Sequence, residues 1–154
     1  MLKKIISGGQ TGADRAALDA ARQSGFPIGG SCPAGRAAED GVISDLYPLT
    51  EIEGGPGERT RKNVIDADGT VIFHEGRLFG GTALTLDVSV VEEKPHRVID
   101  IGSTDPTEAE EIVAEFIEEC SIGVLNVAGP RASECPDVYD YVKQVISEVL
   151  RRLP

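Results

Sequence analysis

Apolar positions along the chain form short β-branched runs that alternate with longer stretches of helical spacing. The short runs predict strands over residues 2–7, 26–29, 70–74, 97–101 and 122–127. The longer stretches predict helices over residues 11–24, 59–67 and 81–93, a fourth from an Asp105 cap to Cys120, and a fifth after Cys135-Pro136. Apolar strands that alternate with helices are typical of a parallel sheet covered on both faces. The pattern therefore predicts a doubly wound α/β fold with a mainly parallel sheet and helices on both faces.

Length and charge narrow the class of protein. The 154 residues suit one domain, spanning residues 1–154. No apolar run approaches the roughly 20 residues of a membrane helix, and Ser7-Gly8-Gly9 interrupts the apolar N-terminus before it could serve as a signal peptide. The net charge of −11 argues against nucleic acid as a partner, because such binding depends on Lys and Arg neutralising phosphates. We therefore expect a cytoplasmic protein without membrane or nucleic-acid partners.

A glycine-rich turn follows the first predicted strand, with the sequence Gly8-Gly9-Gln10-Thr11-Gly12-Ala13-Asp14-Arg15. Glycines let the backbone approach an anion and a helix start offers free N–H groups, so we expect this turn to bind an anion. A tight turn with Thr11 and Asp14 as a capping box explains the same residues and is compatible with that function. Ser7 stands where the nicotinamide fingerprint needs glycine, and the chain has no GK[ST] of a P-loop. Both departures argue against NAD binding and ATP hydrolysis.

Similar chemistry follows two further predicted strands. The third strand leads into a second glycine turn, Arg77-Leu78-Phe79-Gly80-Gly81-Thr82-Ala83-Leu84-Thr85, and Asn126 and Arg131 follow the fifth strand. Ligands of doubly wound sheets bind where strands end and the next helices begin, so we expect these loops to share one ligand. Several arginines lie in or next to the loops, namely Arg15, Arg36, Arg59, Arg61, Arg77 and Arg131. Guanidinium groups suit phosphate, and the cluster predicts a selective anion site.

Four motifs in this order resemble the putative molybdenum carrier family over nearly the whole chain. They are Gly8 to Arg15, Asn63-Val64 with Asp68-Gly69-Thr70, Gly80 to Thr85, and Leu125 to Arg131. That family is similar to the molybdenum cofactor carrier proteins of algae and to the lysine-decarboxylase-like (LOG-type) Rossmann proteins. The resemblance implies a Rossmann-like fold, usually a homo-oligomer, and a phosphorylated small molecule as ligand, with the molybdenum cofactor (molybdopterin) as candidate. The expected ligand-binding residues are Gly8, Gly9, Gln10, Thr11, Gly12, Asp14, Arg15, Arg77, Gly80, Gly81, Thr82, Asn126 and Arg131.

The related phosphoribohydrolases release a base from a nucleoside monophosphate and carry a motif like PGGxGTxxE. Here Phe79 stands in place of the proline and Thr85 in place of the catalytic glutamate. A hydroxyl cannot stabilise an oxocarbenium-like centre as a carboxylate does, so the sequence favours a binding protein without turnover. Nucleotide binding, or a phosphoribohydrolase that uses Asp14 or Glu75, is the alternative. A nucleotide sensor is a third hypothesis.

Some features leave more than one interpretation open. The predicted helix over residues 81–93 is apolar nearly all round and predicts a subunit interface. His74 ends a strand, where a local hydrogen bond and a catalytic role are both compatible with the sequence. Cys135 lies at the start of the last predicted helix, which would lower the pKa of its thiol and allow contact with a redox-active ligand, but a small buried residue is the favoured interpretation. Residues 30–57 are rich in Gly and Pro and are either a functional loop, such as a lid, or partly disordered.

Overall fold

The computed structural model describes residues 1–154, with nine strands, five α-helices and one short 3-10 helix at Ala34–Arg36. In chain order the elements are β1 (Lys4–Ile6), α1 (Ala13–Gln23), β2 (Ile28–Gly29), β3 (Ser31–Cys32), β4 (Ala37–Ala38), β5 (Gly41–Val42), β6 (Thr50–Glu51), α2 (Pro56–Asp66), β7 (Gly69–His74), α3 (Gly80–Val91), β8 (His96–Asp100), α4 (Pro106–Glu119), β9 (Val124–Ala128) and α5 (Val138–Arg151). Each predicted strand and helix is present, with its ends shifted by a few residues. None of the helices combines the length and apolar character that crossing a lipid bilayer requires.

Five strands form one parallel sheet in the order β2-β1-β9-β7-β8. The chain first adds β2 beside β1, then crosses to build β7 and β8, and finally inserts β9 between β1 and β7. The register follows this order, since Ile5 pairs with Ile28 on one side and with Leu125 on the other. The predicted Rossmann-like α/β fold is confirmed. The point where the strand order reverses lies at β9, and open α/β sheets bind ligands at such a point.

Helices cover both faces of the sheet. α1, α4 and α5 pack together over the face that carries Ile5, Phe73 and Leu125, and this layer forms the main apolar core. α1 approaches closely because alanines line its buried side: Ala13, Ala16, Ala17, Ala20 and Ala21. α2 and α3 pack against each other and contact β9 and β7. Sheet residues that point towards this second layer include the buried polar side chains of Thr70 and Asn126.

Residues 30–57 are ordered into short elements. β3 pairs in parallel with β6, and β4 pairs with β5 as an antiparallel hairpin. The Arg36 guanidinium holds the segment by donating hydrogen bonds to the carbonyl oxygens of Ile43, Ser44, Tyr47 and Leu49. A second apolar cluster under the segment consists of Leu18, Cys32, Ile43, Tyr47 and Leu49. The predicted irregular loop is therefore a small layer packed against α1.

One of the two predicted helix caps is confirmed and the other is wrong. Asp105 caps α4 as expected, since its Oδ1 accepts a hydrogen bond of 2.9 Å from the Glu108 amide. The capping box at Thr11 and Asp14 is wrong, because α1 begins only at Ala13 after Gly12, and the Asp14 carboxylate accepts from the Gln10 amide instead. Gly12 has a φ of 80°, and a Cβ there would lie 2.3 Å from the Pro130 carbonyl oxygen. Only glycine fits this close approach between two loops.

Candidate functional site

A polar cleft of about 220 Å³ opens at the carboxyl ends of β1, β7 and β9, where the strand order reverses. Four separate stretches of chain contribute its walls. The lining residues are Gln10, Asp14, Pro56, Arg59, Thr60, Gly80, Gly81, Thr82, Thr85, Ala128, Gly129, Arg131 and Glu134. This is the position at which the fold predicts a ligand.

The second glycine turn forms an open wall of the cleft. α3 begins at Gly80 after the extended residue Phe79, and no side chain caps its first amides. A Cβ built on Gly81 would meet no atom within 4 Å, and one on Gly80 would meet only Glu134 Oε2 at 3.9 Å. The uncapped N–H groups at a helix start carry a partial positive charge and attract anions. The α3 start therefore offers unobstructed donors to an anionic group.

The Arg59 side chain occupies the space beside Gly8 in the first glycine turn. A Cβ on Gly8 would overlap the Arg59 guanidinium, at 1.8 Å from Nη1. Arg59 Nη1 donates a hydrogen bond of 2.8 Å to Asp14 Oδ2, and the side chains are only 13% and 5% exposed. Burial raises the pKa of the Asp14 carboxyl, while the positive charge of Arg59 acts in the opposite direction. The absence of a side chain at Gly8 thus makes room for this buried ion pair.

Arg59 also has an unused donor. Its Nε is buried and has no hydrogen-bond partner. A buried donor without an acceptor is unfavourable, and guanidinium groups form their strongest hydrogen bonds with carboxylate or phosphate oxygens. Since Arg59 lines the cleft, this N–H is a candidate contact for an anionic ligand.

The outer rim of the cleft carries a second ion pair. Arg131 Nε lies 3.2 Å from Glu134 Oε1, and the same oxygen accepts a hydrogen bond of 3.0 Å from the Arg131 amide. Arg59 and Arg131 thus each face a carboxylate of the cleft, so their charges are balanced locally. The selective anion site that the arginine cluster predicts therefore stays a prediction, and carboxylates of the same chain already pair with these two arginines. Of the other clustered arginines, Arg15 and Arg61 also pair with carboxylates, those of Asp40 and Glu92.

The structure brings part of the predicted site together. Gln10, Asp14, Gly80, Gly81, Thr82 and Arg131 line the cleft. Gly8 and Asn126 line a smaller adjoining pocket with Asp14 and Arg59. Arg77 lies outside the cleft, in a small pocket beside His74 and Cys135. Gly9, Thr11, Gly12 and Arg15 do not line the cleft, because their turn packs against neighbouring loops.

Sequence reasoning missed several residues of the cleft, notably Thr60, Thr85, Glu134 and the role of Arg59. Arg59 carried a signal, since it belongs to the cluster of loop arginines. Thr85 ends the second glycine turn and stands where the phosphoribohydrolases carry a glutamate, and neither feature predicts that it lines the cleft. In the structure its buried Oγ1 donates a hydrogen bond of 2.8 Å to the Gly81 carbonyl oxygen.

Two other residues have local roles. His74 Nδ1 lies 2.8 Å from the Gly76 carbonyl oxygen, in agreement with the local hydrogen bond that the sequence allowed. Cys135 is buried, and burial raises the pKa of its thiol. The expected lowering of that pKa is wrong, because α5 begins at Val138, three residues further on.

Comparisons with known proteins agree with this architecture. The model of the circularly permutated YpsA SLOG family matches residues 5–150. A 1.45 Å crystal structure of a protein from Syntrophus aciditrophicus SB, described as a putative molybdenum carrier protein, superimposes with a TM-score of 0.94. The two chains are 42% identical, over 97% of this chain and 95% of the other. No curated protein matches the chain significantly.

Proposed function

The chain belongs to the circularly permutated YpsA SLOG family, and on that premise we propose that it is a carrier that binds a phosphorylated small molecule without converting it. The molybdenum carrier resemblance predicted from the sequence is confirmed by the family match and the solved structure. The ligand that we propose is the molybdenum cofactor, a phosphorylated pterin that carries the metal. The cofactor is cargo in this proposal: it binds, and it later dissociates from the protein without having been chemically altered.

One observation supports the proposal more than any other. Three residues that line one cleft carry N–H donors without a partner, namely Gly80 and Gly81 at the uncapped start of α3, and Arg59, whose buried Nε has no acceptor. Helix starts and guanidinium groups both bind phosphate in many proteins. We place the ligand phosphate between them.

The remaining polar groups of the cleft fit a pterin. Asp14 and Glu134 offer carboxylate oxygens that accept hydrogen bonds, and Gln10 offers an amide. A pterin ring presents N–H donors and ring acceptors that these groups would match. The cleft volume of about 220 Å³ is below the roughly 300–1,000 Å³ of most small-molecule sites, so such a ligand would extend beyond the cleft as it stands.

Thr85 favours binding over hydrolysis. The carboxylate of the related phosphoribohydrolases is absent at this position, and the Thr85 hydroxyl is already bonded to the Gly81 carbonyl oxygen. A second candidate function is hydrolysis of a nucleoside monophosphate, because Asp14 and Glu134 do place carboxylates in the cleft. Release of free adenine from AMP would support this second function and contradict ours.

Native mass spectrometry of anaerobically purified protein tests the proposal. The protein is mixed with equal amounts of molybdenum cofactor and AMP, and we expect the intact pterin to be retained. Gly81→Asp should abolish retention, since it places a carboxylate in open space beside the phosphate position. The matched control is Thr107→Asp, which adds the same charge at the second position of α4, away from the cleft. The proposal is contradicted if Gly81→Asp retains the cofactor. It is also contradicted if neither wild type nor Thr107→Asp retains it.

A further inference from the structure

The β4–β5 hairpin, residues 37–42, carries two carboxylates at its tip and is called here the acidic hairpin. Glu39 accepts hydrogen bonds from the Thr11 hydroxyl, from the Ser133 hydroxyl and from the Ser133 amide, the last at 3.2 Å. Arg131 Nη1 lies 4.0 Å from the same carboxylate. Hydrogen-bond donors from two loops thus surround the Glu39 carboxylate.

Asp40 binds the first glycine turn in the same way. Its two carboxylate oxygens accept hydrogen bonds of 3.0 and 3.2 Å from Nη1 and Nη2 of Arg15. Arg15 is held in place by two further hydrogen bonds to the Gly9 carbonyl oxygen. The arrangement is a two-pronged guanidinium–carboxylate pair, the geometry that arginine also uses for phosphate.

The groups that hold the acidic hairpin suit an anion of any origin. The hydrogen bonds from Ser133 and Thr11 lower the pKa of the Glu39 carboxyl, so this place favours negative charge. Thr11, Arg15 and Arg131 are also three of the residues that the sequence assigns to an anionic ligand. In the structure their donors are taken by carboxylates of the same chain.

The acidic hairpin adjoins the cleft directly. Gln10 and Arg131 line the cleft, and both also contact Glu39, since Gln10 Oε1 accepts a hydrogen bond of 2.8 Å from the Glu39 amide. Apolar burial contributes little to holding the hairpin, because Ala38 is only partly buried against the second apolar cluster, while Ala37 and Gly41 are exposed and Val42 is 78% exposed. Releasing its tip would therefore break mainly polar contacts near the surface.

We propose that Glu39 occupies an anion subsite formed by Thr11, Ser133 and Arg131, and that a ligand larger than the cleft displaces the acidic hairpin to enter it. This inference rests on the proposed function. The displaced state has room beside the cleft and frees the hydroxyl, amide and guanidinium donors for a second anionic or polar group of the ligand. The hairpin competes with the ligand. The apparent Kd therefore equals the intrinsic Kd divided by the fraction of molecules in which the hairpin is undocked.

Calorimetric titration of Glu39→Ala tests the proposal, with AMP, the molybdenum cofactor and inorganic phosphate as probes. If the docked hairpin outnumbers the free one by about nine to one, the variant should bind the two larger probes about tenfold more tightly than wild type. Inorganic phosphate fits within the cleft, so its affinity should change far less. Asp45→Ala is the matched control, because it removes an exposed charge from the same segment without touching the hairpin.

Amide hydrogen exchange supplies an independent measurement. Adding AMP or the molybdenum cofactor, whichever of these larger probes wild type binds, should speed exchange at residues 37–42 and leave α4 unchanged, whereas inorganic phosphate should not speed it. Larger probes that bind wild type and Glu39→Ala equally, or bind the variant more weakly, overturn the inference and leave the proposed function standing. If wild type binds none of the three probes, the proposed function fails and the inference with it.

Discussion

Arg59 joins α2 to the first glycine turn through its ion pair with Asp14, a residue 45 positions earlier in the chain. Both side chains are largely withdrawn from water, so each charge depends on the other. The sequence shows that both residues lie near predicted loops but cannot show that they meet. The pairing therefore makes Arg59 both a structural residue and a candidate ligand contact.

We predict that Arg59→Leu lowers the free energy of unfolding by roughly 3–5 kcal/mol at neutral pH, because it leaves the Asp14 carboxylate buried without a partner. The loss should shrink in acid, since burial raises the pKa of Asp14 and protonation removes the unpaired charge. The double variant Asp14→Asn, Arg59→Leu should recover part of the loss. Urea unfolding measures all three effects.

Lys62→Leu is the control for this experiment. Lys62 pairs with Asp66 on the same helix, but that pair is exposed and should contribute only about 0.3–0.5 kcal/mol. Equal losses in the free energy of unfolding for Arg59→Leu and Lys62→Leu would show that the buried ion pair contributes no more to stability than the exposed one.

The contribution of Glu39 to holding the acidic hairpin should depend on pH in the direction opposite to the effect at Asp14. Its pKa is lowered by the hydrogen bonds from Ser133 and Thr11, so its anchoring contribution is present above the ordinary pKa of about 4.3 and is lost as the pH falls through the lowered value. We predict that the amide resonances of Glu39 and Ser133 shift together below pH ~4.3. The transition should be absent in Glu39→Gln. Its persistence in that variant would assign it to another group.

At the scale of elements, the sequence predicts most of the structure because local patterns determine it. The alanine side of α1 and the Asp105 cap of α4 are both readable from residues close in sequence. The start of α1 is not, because Gly12 is fixed by the Pro130 carbonyl oxygen from a distant loop. The short strands of residues 30–57 also escape prediction, since two-residue strands have no periodicity.

The surface of α3 bears on the predicted subunit interface, which stays a prediction. It is apolar on most sides, yet Leu84, Val90 and Val91 are exposed, the last two by 58% and 73%. Asp87 lies among them. Exposed apolar side chains clustered on one helix often mark a protein–protein interface. A second copy of this chain is the occupant that the sequence predicts.

We predict that wild type sediments as a homo-oligomer at micromolar concentration and that Val90→Glu, Val91→Glu shifts it to monomer. Burying two added carboxylates in an apolar interface is strongly unfavourable, whereas the isolated fold should tolerate them. Leu46→Glu is the control, since Leu46 is exposed on a different part of the surface. A wild-type profile that contains only monomer would contradict the prediction.

At the scale of the molecule, the strand order explains why sequence analysis finds only part of the site. The sequence predicts five strands but not that β9 lies between β1 and β7. That insertion brings Gln10, Gly81 and Arg131 to one cleft, and β-sheet order depends on contacts between distant segments. It also brings Arg131 and Ser133, which follow β9, to the Glu39 carboxylate of the acidic hairpin. The motifs therefore predict some of the residues that line the cleft, such as Gln10, Gly81 and Arg131, but not their neighbours Thr60 and Glu134.

The same topology implies that ligand binding should stabilise the whole fold. The cleft exists only when residues 10–14, 56–60, 80–85 and 128–134 are assembled, so the unfolded chain cannot bind. At a free cofactor concentration of about 100 times Kd, the native state should gain about 2.7 kcal/mol. For a chain of this size that corresponds to a rise in Tm of about 5–11 °C. Calorimetry with molybdenum cofactor should show this rise for wild type and Thr107→Asp but not for Gly81→Asp. Equal rises in all three proteins would place the ligand elsewhere than at the start of α3.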